Sequence, residues 1–219
     1  FYRLRAIGNF SGRTTLKQGT LIVFEGIDGT GKSTQCGLLA KSLSEMEVPN
    51  IALAEPTRGA WGMKIRKLLS DGRQGISPQE ELSWFINDRK EDIEKNIMPA
   101  LKENIAVLMD RYYFSTAAYQ GALGLEPDQI RLENEKFAPV PDRVLIFLTS
   151  PEKCLERIES SRDQKSAFEK LDYLKNVQKI FKSFSGPNIR FIESVGSISD
   201  VHEKVLAATD DLFDFGLKL

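Results

Sequence analysis

The residues best suited to chemistry lie in a glycine-rich run at positions 26–33, which reads GIDGTGKS. The run matches the pattern G-x-x-x-x-G-K-[ST], with an apolar stretch before it and a helical pattern after it, which is the context of a phosphate-binding loop. Its glycines let backbone amides converge on a β-phosphate, and the following helix adds its positive N-terminal end. We expect Lys32 to place a mobile positive charge on the β- and γ-phosphates of ATP and Ser33 to ligate Mg²⁺. The residues predicted to bind the nucleotide are Gly26, Ile27, Asp28, Gly29, Thr30, Gly31, Lys32, Ser33 and Thr34.

An acidic residue follows the third apolar run of the chain, at the point where that run ends. Asp110 comes directly after residues 105–109, and a carboxylate at the carboxyl end of a strand beside a phosphate-binding loop is suited to holding Mg²⁺. A solvated acid at a strand end is the alternative. Arg111 comes next, and a guanidinium there can bind a second phosphate from the opposite side. The sequence therefore predicts a Mg²⁺ site at Ser33 and Asp110 and an anion-binding role for Arg111.

The motifs and the chain length that follow the loop narrow the class of nucleotide-binding protein. A GTPase needs an N-K-x-D motif to read guanine, and the 219 residues contain none. The stretch after the loop is also too short to contain the inserted domain of a nucleotide-driven pump. The sequence therefore favours a kinase that uses ATP and phosphorylates a small molecule.

Composition limits the partners and the compartment. Lys and Arg total 30 and Asp and Glu total 31, a net charge of −1, so the chain lacks the basic excess that nucleic-acid binding requires. Cys36 and Cys154 have neither CxxC spacing nor a companion histidine cluster, which argues against zinc and disulfides and favours the cytoplasm. His202 is the only histidine, which excludes most Ser and Cys triads. No apolar run reaches the roughly 18–20 residues of a membrane span.

Apolar runs alternate with helical patterns from Gly19 onward. This alternation predicts βαβ units and an α/β fold with a parallel sheet covered by helices on both faces. No composition break divides residues 19–219, so we predict one domain. The predicted strands are centred on residues 21–24, 51–54, 105–109, 144–148 and 189–192. The predicted helices span residues 32–47, 63–70, 77–103, 115–120, 128–137, 152–159, 168–184 and 198–215.

Residues 1–18 differ from the rest of the chain. They contain three arginines and one lysine but no acid. An Arg-rich, acid-free start resembles an organelle transit peptide, and a leader remnant, an expression artefact and a native extension are alternatives. The prediction is a poorly ordered N-terminal extension.

Several further segments carry a resemblance to a known family. Residues 110–120, DRYYFSTAAYQ, resemble the D-R-Y-x-x-S-x-x-A-Y-Q segment of thymidylate kinases, and residues 97–101, IMPAL, match their I-x-P-A-L. The remaining matches are residues 24–29 (FEGIDG), residues 55–57 (EPT), and Phe85 with Arg89. Because the matches occur in the family's order, from about Gly19 to the C-terminus, the chain is identified as a member of the bacterial type of this family.

The resemblance implies a fold, an activity and partners. The fold would be a P-loop nucleoside monophosphate kinase-like three-layer structure with a five-stranded parallel sheet of order 2-3-1-4-5. The activity would be transfer of the γ-phosphate of ATP to dTMP with Mg²⁺, giving dTDP for dTTP synthesis, by a cytoplasmic homodimer. A kinase for another nucleotide or a deoxynucleoside, and a catalytically inactive nucleotide-binding regulatory module, are the alternatives.

The resemblance also assigns a binding site for the dTMP base. Phe85 and Arg89 are one helical turn apart, so a ring can stack on thymine while a guanidinium meets the base. Core packing of Phe85, and pairing of Arg89 with Asp92 or Glu94 on a wet surface, remain alternatives. Further base and sugar contacts are implied for Ser115, Thr116, Tyr119 and Gln120.

The phosphate and sugar of dTMP are assigned to other residues by the same resemblance. Arg111 and Arg66 would bind its phosphate and offset repulsion between donor and acceptor phosphates. Glu55 would lie near the deoxyribose and the magnesium. Here the chain departs from the family, because Glu55-Pro56-Thr57-Arg58 replaces the E-P-G-G-T of many bacterial members. The phosphate contact expected from this loop is therefore in doubt.

The catalytic arginines are sought in a lid over ATP, at about residues 157–166. One branch of the family has an arginine directly after the position of Asp28, but this chain has Gly29 there. The other branch recruits lid arginines, for which Arg157 and Arg162 are the candidates; a solvated polar loop is the alternative. The predicted catalytic residues are Asp28, Lys32, Arg111, Arg157 and Arg162.

Overall fold

The structure of the chain is a computed structural model that describes residues 19–73, 75–158 and 164–213. The predicted extension at residues 1–18, the lid arginine Arg162 and most of the predicted lid lie outside the described residues.

The described residues form a five-stranded parallel sheet of order β2-β3-β1-β4-β5. This confirms the predicted fold class and strand order. The phosphate-binding loop follows the central strand, so the sheet brings the ends of its neighbours to both sides of that loop. The strands are β1 (Leu21–Glu25), β2 (Asn50–Ala54), β3 (Ala106–Asp110), β4 (Arg143–Leu148) and β5 (Ile189–Glu193).

Helices connect successive strands and cover both faces of the sheet. The predicted helices are present, with ends that differ by a few residues. The helices in the described part of the chain are α1 (Lys32–Glu45), α2 (Ala60–Asp71), α3 (Pro78–Asp92), α4 (Met98–Lys102), α5 (Tyr113–Gly121), α6 (Pro127–Glu135), α7 (Pro151–Ile158), α8 (Gln164–Ser183) and α9 (Ile198–Phe213).

The side chains of the central strand divide between two cores. Leu21 and Val23 belong to the core under α5 and α8, whereas Ile22 and Phe24 belong to the core under α1 and α9. Successive side chains of a strand point to opposite faces, so an almost wholly apolar strand is what a sheet covered on both sides requires.

The prediction of one continuous helix at residues 77–103 is wrong, because the structure divides this region. Ser77 caps its start, because the hydroxyl oxygen accepts from the Glu80 amide at 3.2 Å. The α-helix ends at Asp92, and a π-helical segment, Ile93–Ile97, joins it to the short helix α4. Pro99 lies at the start of α4 and has no amide hydrogen to donate, which prevents one regular α-helical ladder across this region.

None of the helices in the described segments is long and apolar enough to cross a membrane. Within these segments Cys36 and Cys154 are both buried and free.

Candidate active site

The phosphate-binding loop needs glycine at positions that no other residue fits. Gly26 has φ +132°, and a Cβ there would lie 2.5 Å from the Phe147 carbonyl oxygen. Gly29 has φ +81°, and a Cβ there would lie 2.8 Å from the Cys154 carbonyl oxygen. Both glycines therefore let the loop turn tightly between β1 and α1 while β4 and α7 pack against it.

Lys32 lies folded against the loop rather than extended as a mobile charge. Its Nζ donates to the Ile27 carbonyl oxygen at 2.7 Å, and the side chain is buried. Burial, together with the charge of Arg111, lowers the pKa of Lys32 to about 7. A phosphate at the loop would bring the negative charge that this buried ammonium group lacks.

A cavity of about 550 Å³ opens over the loop. Its wall combines the loop, the start of α1 and the segment between β5 and α9. The lining residues are Asp28, Gly29, Thr30, Gly31, Lys32, Ser33, Thr34, Gln35, Asp110, Arg111, Arg157, Ser194, Gly196, Ser197, Ile198 and Val201. We call it the first cavity. Its segment 194–201 was not among the predicted site residues, because no sequence motif marks it.

Asp110 and Ser33 meet at the base of the first cavity. The Ser33 hydroxyl donates to Asp110 Oδ2, which joins the end of β3 to the start of α1 as predicted. Asp110 Oδ1 is buried and accepts no hydrogen bond from any described residue. A carboxylate oxygen without a donor beside a hydroxyl fits a Mg²⁺ ion, which prefers oxygen ligands and retains waters and substrate phosphates as its other ligands.

Arg111 lies in a strained turn at the end of β3. Its φ is +73°, a conformation that residues other than glycine rarely adopt and that clusters at functional sites. The guanidinium pairs with Asp28, donates to the Ser115 hydroxyl at 3.0 Å, and lies 5.2 Å from the centre of the Tyr119 ring. The Tyr119 hydroxyl in turn donates to Asp28 at 3.2 Å.

A second cavity of about 800 Å³ lies on the other side of Arg111. Asp28, Asp110 and Arg111 line both cavities, so the two meet at these three residues. The other lining residues of the second cavity are Ala54, Glu55, Pro56, Arg66, Leu69, Arg73, Glu81, Phe85, Ser115, Thr116, Tyr119, Leu155, Lys170, Tyr173 and Leu174. The structure thus brings together seven residues predicted for acceptor binding: Glu55, Arg66, Phe85, Arg111, Ser115, Thr116 and Tyr119.

Arg89 and Gln120 do not line the second cavity, although the sequence placed both at the acceptor. The Arg89 guanidinium is buried, pairs with Glu55, and donates to Thr116 Oγ1 at 3.0 Å. It acts on the cavity through these two lining residues, and its partner is Glu55 rather than Asp92 or Glu94. Gln120 is fully buried, and its amide group has no hydrogen-bond partner among the described residues.

The atypical loop after β2 is held by contacts that its sequence alone does not reveal. Asp88 of α3 accepts from the Thr57 amide at 2.8 Å and from its hydroxyl at 2.6 Å. Arg66 donates to the carbonyl oxygens of Pro56 and Thr57. Arg58 of this loop is exposed and lines neither cavity. The loop therefore presents Glu55 to the second cavity without the glycines usual at this position.

Arg73, Glu81 and Tyr173 also line the second cavity, and all three were missed from the sequence. Arg73 donates from Nε to both carboxylate oxygens of Glu81, at 2.9 and 3.1 Å. The Tyr173 hydroxyl donates to the Tyr119 carbonyl oxygen at 3.1 Å. Glu81 precedes Phe85 by four residues, and this helical spacing is the signal that could have identified it.

The lid arginine that the structure describes contacts the loop itself. Arg157, in the last turn of α7, donates to the Gly29 carbonyl oxygen at 2.8 Å and lines the first cavity.

The fold and these cavities define the class of protein. A phosphate-binding loop after the central strand of a 2-3-1-4-5 parallel sheet, with an arginine at the boundary of two cavities, is the arrangement of a P-loop kinase that acts on nucleoside monophosphates. The sequence model of the family "Thymidylate kinase" matches residues 24–205. Because this match spans most of the chain, the chain belongs to the thymidylate kinase family.

Individual relatives agree with this assignment. The chain is 45% identical to the thymidylate kinase of Desulfotalea psychrophila over 195 residues, which are 89% of this chain and 96% of the relative. It is 41% identical to the probable thymidylate kinase of Archaeoglobus fulgidus, over 84% of this chain and 92% of the relative. The crystal structure of thymidylate kinase from Ehrlichia chaffeensis is similar with a TM-score of 0.68 and 28% identity, over 88% of this chain and 99% of that one.

Proposed function

We propose that the chain transfers the γ-phosphate of ATP to dTMP, with ATP in the first cavity and dTMP in the second. Phosphorylation of dTMP is the activity of the family to which the chain belongs. The observation that carries the proposal is the junction of the two cavities at Asp28, Asp110 and Arg111. A donor and an acceptor phosphate that enter from opposite sides would meet at this junction.

On the donor side, Lys32 and the loop amides bind the phosphates of ATP. Ser33 and Asp110 would hold Mg²⁺, and the orphaned Asp110 oxygen supports this assignment. When bound, the ion neutralises charge on the phosphates of the donor. Arg157 adds a positive charge beside Gly29, where it would stabilise the transferring phosphate or the donor.

On the acceptor side, Phe85 provides an aromatic face and Thr116 a hydroxyl group for the thymine base. Thr116 already accepts a hydrogen bond from the buried Arg89, so its own proton is free to be donated to a base carbonyl oxygen. Tyr119 crowds the sugar and so favours deoxyribose. Arg111 and Arg66 bind the phosphate group of dTMP, with Arg66 exchanging its contacts to loop carbonyl oxygens for that phosphate.

This arrangement performs the transfer by positioning and charge. The attacking atom is an anionic phosphate oxygen, so no general base has to remove a proton. The transition state of phosphoryl transfer is loose, and its charge lies on the oxygens of the transferring group. Arg111 at the junction, Lys32 and Arg157 surround the place where that charge develops, and closing the site excludes water, which would otherwise hydrolyse ATP.

We further propose that the enzyme is a cytoplasmic homodimer with no nucleic-acid partner. The resemblance to thymidylate kinases, which commonly dimerise through their helices, supports the dimer, and the net charge of −1 supports the absence of a nucleic-acid partner. Light scattering measures the mass directly: twice 24.7 kDa is expected, and a monomer at micromolar concentration contradicts this part of the proposal.

The test of the activity is coupled ADP release with ATP, Mg²⁺ and a panel of dTMP, dUMP, thymidine and other nucleoside monophosphates. We expect turnover largely confined to dTMP, and a loss of about 100-fold or more in Lys32→Ala, as for other preorganised charge donors. Turnover of another acceptor would overturn the roles of Phe85 and Thr116. Binding of ATP without any turnover would favour a regulatory module.

A further inference from the structure

We propose that Glu25 is a positioning residue for Arg111: the buried carboxylate fixes the turn and the guanidinium that would bind the acceptor phosphate. The inference rests on the proposed function, because Arg111 matters in this way only if a phosphate binds at the junction of the cavities. Glu25 itself lines neither cavity, so it acts through Arg111 and not on a substrate.

The carboxylate joins the end of β1 to the turn that follows β3. Glu25 Oε1 accepts from the Tyr112 amide at 2.8 Å, and Oε2 accepts from the Ser115 hydroxyl at 2.5 Å. The Ser115 oxygen in turn accepts from Arg111 Nη1 at 3.0 Å. Because the single proton of Ser115 is donated to Glu25, its lone pairs face Arg111, and the carboxylate thereby orients the hydroxyl that holds the guanidinium.

Two consecutive amides of the strained turn are held by two consecutive residues of β1. The Arg111 amide donates to the Phe24 carbonyl oxygen at 3.0 Å, and the Tyr112 amide donates to Glu25. Arg111 between them has φ +73°. A residue with a Cβ keeps such a conformation only where the surrounding contacts determine it, and Glu25 supplies the side-chain half of these contacts.

A purely structural role does not account for an acid at this position. Glu25 ends an otherwise apolar strand, its side chain is buried, and burial raises its pKa to about 7 against the effects of the Ser115 hydrogen bond and Arg111. An apolar residue would avoid this cost of burial. The carboxylate provides two acceptors and a negative charge near Arg111, and no neutral side chain combines these.

The acid that pairs directly with Arg111, Asp28, differs from Glu25 in its exposure. Asp28 pairs with Arg111 Nη2, but its side chain is 57% exposed and it lines both cavities. A phosphate that binds Arg111 would compete with Asp28 for the guanidinium. The contact through Ser115 and Glu25 lies behind Arg111 and can persist while a phosphate is bound.

The test compares Glu25→Gln with wild type in the ADP-release assay. The Tyr112 amide and the Ser115 hydroxyl donate to different carboxylate oxygens, so in Glu25→Gln one of these two donors faces the NH2 group, which cannot accept. We expect kcat/KM for dTMP to fall about 10- to 100-fold, as for other misplaced groups near a reacting centre, while the KM for ATP changes less than about two-fold. Val48→Ala, a change at a buried residue just before β2, is the control for lost stability and should leave both parameters unchanged.

Ser115→Ala removes the relay without touching the buried carboxylate, and it carries the test if Glu25→Gln does not fold. Because both variants act on the same guanidinium, their combined loss should be smaller than the product of the single losses. Equal effects on the KM values for ATP and dTMP, or fully multiplicative losses, would overturn the inference.

A crystal structure of Glu25→Gln would show the position of the Arg111 side chain, a measurement that does not depend on turnover. We expect the Arg111 guanidinium to leave its Ser115 contact, and an unmoved Arg111 would overturn the role of Glu25. Wild-type protein that does not phosphorylate dTMP would refute the proposed function instead, and the crystal structure would still decide the inference about Glu25.

Discussion

The ion pair between Glu55 and Arg89 offers a quantitative test of the site, because both charges are almost wholly removed from water. Their side chains are 3% and 1% exposed. Glu55→Gln keeps the shape of the side chain but removes the negative charge, which leaves the buried Arg89 without its ion-pair partner.

The expected cost follows from this burial. Breaking a buried ion pair by removing one partner costs about 3–5 kcal/mol, since the remaining charge is neither hydrated nor paired. For a chain of this size each kcal/mol lowers Tm by roughly 2–4 °C, so we expect Tm to fall by roughly 6–20 °C. The variant Glu45→Gln is the matched control: its pair with Lys41 is 65% and 73% exposed, and losing it should cost less than about 1 kcal/mol.

The measurement is urea unfolding at pH 9, followed by far-UV circular dichroism. Burial raises the pKa of Glu55 to about 8, against the opposing charge of Arg89, so at pH 9 the carboxylate is ionised in the wild type. The double variant Glu55→Gln/Arg89→Met removes the unpaired charge and should recover part of the loss. A cost below about 1 kcal/mol in Glu55→Gln, or a double variant no more stable than the single one, would refute the reasoning.

Three further predictions concern the loop, the wall of the second cavity and the pH dependence of stability. Gly29→Ala places a Cβ in a left-handed backbone conformation, 2.8 Å from the Cys154 carbonyl oxygen. In steady-state kinetics we expect the KM for ATP to rise about ten-fold or more, while the KM for dTMP changes little. A KM for ATP equal to that of the wild type would contradict this prediction. Arg73→Met leaves the buried Glu81 without its ion-pair partner at the wall of the second cavity. We expect the KM for dTMP to rise and the free energy of unfolding to fall by about 1–3 kcal/mol. The control is Arg190→Met on the edge strand β5, which should change neither quantity. Burial raises the pKa of Glu25 from its ordinary value of 4.5 to about 7 in the folded protein. The protonated carboxyl group therefore contributes its full stability below pH 4.5, and this contribution is lost as the pH rises through about 7. In urea unfolding, the free energy of unfolding of the wild type should fall by about 3 kcal/mol relative to Glu25→Gln over that window, and a difference independent of pH would contradict the assignment.

Short sequence motifs predicted the residues proposed to bind ATP, whereas the residues proposed to bind dTMP are positioned by contacts between residues far apart in the sequence. The loop at residues 26–33 and Asp110 could be read from the sequence because each lies directly after its own apolar strand, and the parallel sheet then brings the strand ends together. The partner of Arg89 could not be read in this way. Glu55 lies 34 residues away, and helical spacing pointed to the nearer acids Asp92 and Glu94, which share the helical segment but do not reach the guanidinium.

The break after Asp92 shows a different limit of sequence patterns. Residues 77–103 carry a continuous helical pattern, although a proline such as Pro99 can kink or end a helix. The structure resolves this choice with a π-helical segment at Ile93–Ile97. The choice depends on how the segment packs, because Ile93 and Ile97 are both buried in the core against the sheet.

The buried acids of this site supply negative charge beside Arg89 and Arg111 before any phosphate binds. Glu55 lies against Arg89, and Glu25 lies behind Arg111 with Ser115 between them. Without such partners, these two guanidinium groups would be held out of water with no nearby opposite charge, which would destabilise the fold. Asp28, by contrast, is on the exposed side of Arg111 and lines both cavities. A bound phosphate would therefore exchange with Asp28 while the acids behind the arginines stay in place, so binding reorganises an exposed ion pair and leaves the buried ones intact.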